Sequence, residues 1–195
     1  MIKRLTRGLP RHWQVTIEWL VTIVGAIVIV LAVKQWVVNP YRIPSSSMEP
    51  TLHCARPAYE CEAHSSDRVL ACRFCYRLAA PKRGEIVVFN APQSAEVCGS
   101  AGTYVKRLIG LPGDLWEERA GYVYINGRRL DAPYIPAAPR DTGTIAPIRI
   151  PYGRYFMMGD NRAASCDSRR WGTVPRSSLI GKVIATYWPP RRVAL

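Results

Sequence analysis

Tyr122-Val123-Tyr124-Ile125-Asn126-Gly127-Arg128-Arg129-Leu130 reads as a β-hairpin, and this stretch decides the fold class. A β-branched and aromatic run leads into Asn-Gly, which suits the positive φ angles of a type I′ turn, and the chain then returns. Working outward, other short apolar runs follow the same pattern. Gly84-Glu85-Ile86-Val87-Val88-Phe89 lies between Pro81 and Pro92, and Tyr104 to Ile109 is closed by Gly110-Leu111-Pro112-Gly113-Asp114. Arg154 to Met158 and Leu179 to Trp188 complete the set. Prolines recur too often for long helices, and no internal repeat or low-complexity tract occurs. Residues 53–80 and 90–103 lack periodicity and read as loops. The expected fold is mainly β, with antiparallel strands in a distorted barrel or sandwich behind one N-terminal transmembrane helix.

That helix is the strongest signal of location. Trp19 to Val33 carries no charge, and Gln35-Trp36-Val37-Val38 prolongs the apolar character past Lys34. Trp19 to Val38 would make about 30 Å of helix, the thickness of a hydrocarbon core. The run is apolar on every side rather than along one stripe, unlike a soluble helix. Trp13, Trp19 and Trp36 suit the membrane interfaces, and Lys34 is close enough to the end to snorkel. A cleaved secretory signal is the nearest rival. However, Lys34-Gln35-Trp36-Val37-Val38-Asn39-Pro40 offers no small residues at alternate positions after the run, so an uncleaved anchor is expected. Lys3, Arg4, Arg7 and Arg11 precede it, which places the N-terminus in the cytoplasm. The division expected is a basic cytoplasmic N-terminus at 1–14, an anchor at 15–38, and an extracytoplasmic domain at 39–195 with a Cys-containing loop at 53–80. The net charge of +13 comes without a basic helix stripe, RNP-like aromatics or a zinc-finger spacing. It therefore points to anionic membrane lipid and not to nucleic acid.

For hydrolytic chemistry the chain has serines but few histidines. His12 lies at the cytoplasmic edge, and His53 and His64 sit in the Cys-rich loop with no orienting Asp-His arrangement in sequence. A lysine serves as base if burial keeps it neutral. Lys106 fits, flanked within three positions by apolar, aromatic or small hydroxyl residues except Arg107. Strand alternation does not separate these two, but arginine stays protonated and cannot be a base. Ser47 is favoured over Ser45 and Ser46 as nucleophile because it is the last serine before Met48 in a segment held extended by Pro44 and Pro50. A solvated serine-rich linker is the plain alternative. Gly159-Asp160-Asn161-Arg162 alone would be a polar turn, and Asp167 with Arg169 a surface ion pair.

Pro44-Ser45-Ser46-Ser47-Met48-Glu49-Pro50-Thr51-Leu52 resembles the catalytic-serine box of bacterial type I signal peptidases. Tyr104-Val105-Lys106-Arg107-Leu108-Ile109-Gly110-Leu111-Pro112-Gly113-Asp114 resembles their lysine box, and Lys82 to Phe89 the minor box between. Met158-Gly159-Asp160-Asn161-Arg162-Ala163-Ala164-Ser165-Cys166-Asp167-Ser168-Arg169 resembles the third signature, all in the family's order behind the family's anchor.

The resemblance implies a serine endopeptidase that cleaves signal peptides from exported preproteins, with no cofactor. Ser47 would be the nucleophile and Lys106 the general base, with Ser45 and the Ser47 N–H as the oxyanion hole. Ser165 would orient the lysine. Asp160, Asn161, Arg162, Asp167 and Arg169 would hold the site's architecture. Ile43, Pro44, Met48, Leu52, Tyr104 and Val105 match positions lining pockets for small P1 and P3 side chains. Two departures stand out. Ser46 replaces a frequent glycine, and Cys166 beside Ser165 would make the enzyme thiol-sensitive.

Outside the cytoplasm the Cys cluster suggests disulfides, with Cys54–Cys61 the first pair expected. Free thiols are the second alternative, Cys72-x-x-Cys75 also has zinc-ligand spacing, and Cys98 and Cys166 stand alone. Two other readings remain: a self-cleaving Ser/Lys repressor, which needs a DNA-binding domain in place of the anchor, and a non-catalytic membrane-tethered binding module.

Overall fold

Asn126 and Gly127 both take positive φ, 52° and 79°, and turn β6 (Tyr122–Ile125) into β7 (Arg128–Arg129). Asparagine and glycine enter that region with the least strain, which is why the pair marks the hairpin. The computed structural model describes residues 10–99, 102–135 and 142–193. β6 also pairs with β5 (Leu115–Arg119), which pairs with β8 (Ile145–Arg149), giving an antiparallel sheet of order β7-β6-β5-β8.

Among the described residues the larger sheet has seven strands, in the order β1-β2-β11-β3-β4-β9-β10. These are β1 (Val38–Arg42), β2 (Arg68–Cys72), β3 (Ile86–Asn90), β4 (Thr103–Gly110), β9 (Arg154–Met158), β10 (Val174–Pro175) and β11 (Leu179–Trp188). β9 and β11 coincide with the runs read from sequence. The central strands are apolar on both faces because both faces are covered. Ile86 and Val88 of β3 pack with Ile43, Met48, Leu52 and Val69, while Val87 and Phe89 pack with Leu108, Met157 and Trp171. Phe156 and Met158 of β9 turn toward the smaller sheet, where Trp116 stacks on Phe156 with ring centroids 4.1 Å apart. Each such large side chain taken out of water contributes about 1.5–3 kcal/mol. The fold is mainly β, as expected.

The loops differ from the sequence reading. Residues 53–80 carry β2 and a short helix α2 (Cys75–Leu78), and residues 90–103 carry a 3-10 turn, Gln93–Cys98. β2 is only five residues long, and its partner β11 lies more than a hundred positions away, so no local pattern announces it. The cysteines are all paired: Cys54–Cys61, Cys72–Cys75 and Cys98–Cys166. Cys72 and Cys75 are therefore bonded to each other rather than being zinc ligands, which corrects the spacing argument. Cys166 is likewise not a free thiol.

The chain divides into two units, Met1–Val38 and Asn39–Leu195. Among its described residues the first contains one helix, α1 (Arg11–Trp36), whose Arg11–Ala32 segment has a mean hydropathy of 2.4 and is long and apolar enough to cross a membrane. Most of the apolar side chains described on it are exposed, Trp19 and Ile29 each 65 %. Thr16 and Thr22 return their hydroxyls to the carbonyls of His12 and Glu18 four residues back, which leaves less polar surface facing outward. Lys3, Arg4 and Arg7 lie outside the described residues, as do the side chains of Lys34 and Trp36.

Candidate active site

The serine box leaves β1 and makes one tight turn. Ser46–Met48 form a single 3-10 turn packed on β4, closed by Glu49 N–H to the Ser46 carbonyl. Met48 and Leu52 are buried beside Ile43 and pin this turn to the core. Ser46 does not take a positive φ, so a serine is unstrained at this position. The turn leaves Ser45 Oγ 3.2 Å from Ser47 Oγ, at the edge of a groove of about 450 Å3. Tyr41, Ile43, Pro44, Met48, Tyr104 and Val105 line that groove. Leu52 lies behind it in the core and does not line it.

β4 delivers Lys106 and Arg107 on opposite faces, both buried. Arg107 is neutralised: its Nε and Nη2 donate to the two Asp160 carboxylate oxygens at 2.8 and 2.6 Å, and Thr51 Oγ1 adds a donor to the same carboxylate. Lys106, 1 % exposed, has no such ion pair among the described residues. Burial is the largest influence on its amine, and it lowers the pKa to about 8. Asp167 and Asp160 pull the other way and Arg169 assists burial. Both carboxylates are engaged by arginines, so burial prevails. Burial alone would raise the Asp167 carboxyl, but the hydrogen bond and charge of Arg169, with the Gly159 N–H, hold it below the usual carboxylate range.

The third signature joins these parts. Asn161 N–H donates to the Ser47 carbonyl at 3.2 Å, Gly159 N–H to Asp167 Oδ2 at 3.0 Å, and Arg162 Nε to the Gly159 carbonyl at 3.1 Å. Ser165 Oγ is buried with no hydrogen-bond partner among the described residues. It abuts Gly159, where a β-carbon would overlap both Ser165 Oγ and the Ser47 carbonyl oxygen. The serine segment, Ser165 and the surroundings of Lys106 thus meet at one glycine.

Residues 16–188 match the family described as signal peptidase, peptidase S26. The chain belongs to that family. A probable signal peptidase I-2 from Synechocystis sp. is 40 % identical over 89 % of this chain and 74 % of its own length. Signal peptidase IB from Staphylococcus aureus is 32 % identical over 89 % of this chain and 90 % of its own. A signal peptidase I crystal structure from Enterococcus faecalis aligns at 31 % identity and a TM-score of 0.46, covering 54 % of this chain and 98 % of that one.

Sequence reasoning missed how this signal peptidase family member uses Gly159, Arg107 and Thr51. A close-approach glycine leaves no sequence signal beyond its place before Asp160. The His53–Glu49 pair was also missed: His53 Nδ1 contacts the Glu49 carboxylate, which also accepts the Cys54 N–H. Asp160→Ala should strand the Arg107 charge in a site 10 % exposed on the arginine side, at a loss of about 3–5 kcal/mol. Urea unfolding of the variant measures it, and a loss below about 1 kcal/mol would mean water already screens the pair.

Proposed function

We propose that this chain is a membrane-anchored serine endopeptidase that removes signal peptides from exported preproteins, with Ser47 as nucleophile and Lys106 as general base. The observation that carries the reading is the burial of Lys106 beside carboxylates already engaged by Arg107 and Arg169, which lowers its amine to about 8. In the reaction, Ser47 Oγ attacks the scissile carbonyl carbon and passes its proton to Lys106 Nζ. The Ser45 hydroxyl and the Ser47 N–H stabilise the oxyanion, each such donor being worth about 2.7–4 kcal/mol. Lys106 returns the proton to the leaving amine, and the acyl-enzyme is hydrolysed by a water that Lys106 deprotonates. Ser165 Oγ, which has no hydrogen-bond partner among the described residues, is the hydroxyl left to orient the lysine amine during the reaction. Asp160, Asn161, Arg162, Asp167 and Arg169 hold the frame, and no cofactor takes part.

The groove beside Ser45 and Ser47 is lined mainly by the apolar and aromatic side chains of Tyr41, Ile43, Pro44, Met48, Tyr104 and Val105, which suits small P1 and P3 side chains. The helix α1 supplies the anchor and the contact with membrane lipid, with the N-terminus in the cytoplasm. Three disulfides in the Asn39–Leu195 unit suit an oxidising, extracytoplasmic compartment.

The test is the pH dependence of kcat/KM on a synthetic preprotein peptide. With the amine near 8, the neutral base is about a tenth of the total at pH 7 and grows about tenfold per pH unit below the midpoint. The rate should therefore climb from pH 6, bend near 8 and level off above it. His53→Ala should leave that profile in place. A profile flat from acid to alkaline pH, or one abolished with His53, would overturn lysine as the base.

A further inference from the structure

We infer that the Cys98–Cys166 disulfide is a positioning element of the hydrolytic site, holding the turn that carries Ser165, so that opening it slows catalysis while the chain stays folded. This rests on the reading of Ser165 and Lys106 given above.

The three disulfides differ in what they join. Cys54–Cys61 and Cys72–Cys75 are local, with sequence separations of 7 and 3, whereas Cys98–Cys166 spans 68 positions. It ties the end of the Gln93–Cys98 turn, in the connection from β3 to β4, to the one residue between Ser165 and Asp167. Ser94 Oγ of the same turn donates to the Trp171 carbonyl at 2.8 Å, at the far end of the short helix α3 (Ser168–Trp171). Thus the chain leading into β4, and so to Lys106, is fastened at two points to the segment holding Ser165 and Asp167.

Ser165 depends on this fastening more than its neighbours do. The Asp167 side chain is fixed by Arg169 and by the Gly159 N–H. Ala164 N–H is held by Asn161 Oδ1 at 3.2 Å. Between them the Ser165 hydroxyl has no partner among the described residues, and its carbonyl accepts one long contact from Arg169 Nη2 at 3.4 Å. The direction of that hydroxyl is set by backbone, and the backbone there is set by the covalent bond at the next residue.

The bond is also open from both ends. Cys98 and Cys166 are both half-buried, whereas Cys54, Cys61 and Cys72 are buried and only Cys75 of the other four cysteines is half-buried. A dithiol such as dithiothreitol can approach either sulfur. One thiolate attacks a cysteine sulfur, the second closes the reductant's own disulfide, and two electrons and two protons end on Cys98 and Cys166.

Two consequences separate positioning from general support. The groove residues are untouched, so KM should hold while kcat falls. In addition, a loosened turn admits water to Lys106, whose charged neighbours are Asp167 and Arg169 from this segment and Asp160 after β9, with the Tyr104 ring 5.9 Å away on its own strand. Hydration favours the ammonium, so the pH midpoint should move up.

The experiment compares full-length wild type with Cys98→Ser/Cys166→Ser on a synthetic preprotein peptide across pH. The expected result is a kcat lower by about tenfold or more, KM within about threefold, and a midpoint raised by about half a pH unit or more. In parallel, wild type is titrated with dithiothreitol and its cysteines are mapped by alkylation, which decides the matter should the double variant fail to fold. Rate loss that follows alkylation of Cys98 and Cys166, and reverses on reoxidation, supports the inference. Unchanged kcat and midpoint in the variant, or rate loss that follows the other four cysteines, overturns it. Should oxidised wild type fail to cleave, or Ser47→Ala cleave equally well, the hydrolase reading itself fails instead.

Discussion

Lys106→Met is expected to remove cleavage of a preprotein peptide, by about 10^3-fold or more, while leaving the domain as stable as wild type or more so. The side chain is 1 % exposed and lies on a strand whose neighbours Leu108 and Ile109 are fully buried. Methionine has similar length and no polar head, so it fills the same space and removes an amine that burial disfavours. A residue kept for structure alone would give the opposite pattern, with stability falling and activity following it. Lys106→Arg should be as inactive, because a guanidinium keeps its proton at any working pH. Ser47→Ala should match both, and should lose labelling by a serine-reactive acylating probe. Steady-state cleavage and urea unfolding on the same preparations provide the check. Turnover in the arginine variant above about one hundredth of wild type would mean that another group takes the serine proton.

Much of this site was legible because its parts are local. The Asn126-Gly127 turn declares itself in two residues, and β9 and β11 occupy the runs their composition marks. The serine and lysine boxes could be placed because each is a short contiguous string. What stayed hidden depends on distant partners. Val38 reads as the end of an apolar anchor run but begins β1, since nothing in sequence distinguishes lipid from a strand neighbour. Lys106 and Arg107 look alike by alternation, and the difference between them is Asp160, more than fifty residues further on. Cys98 and Cys166 each look isolated until folding brings β4's lead-in beside the third signature. Cys72 and Cys75 suggest zinc as readily as a disulfide in sequence because ligand spacing and a short disulfide loop use the same pattern.

Gly159→Ala should reduce kcat by about a hundredfold or more although it adds one methyl group at a residue that does not itself line the substrate groove. The new carbon would overlap Ser165 Oγ on one side and the Ser47 carbonyl oxygen on the other. Neither obstacle is the free end of a long side chain. The Ser47 carbonyl is backbone and accepts the Asn161 N–H, while Ser165 is held by a turn flanked by the Cys98–Cys166 bond and the Asp167–Arg169 pair. Relief therefore comes by moving the nucleophile's backbone away from the third signature, and about 1 Å of misplacement at reacting atoms is enough to lose two orders of magnitude. Overpacking should also lower stability by about 1–3 kcal/mol, leaving a folded protein to assay. Gly25→Ala is the control, because a β-carbon there meets nothing within 4 Å and alanine favours a helix. It should leave cleavage unchanged. Wild-type kcat in Gly159→Ala would mean that the serine segment and Ser165 do not need their close approach at this glycine, and the arrangement proposed for Ser47, Lys106 and Ser165 would have to be redrawn.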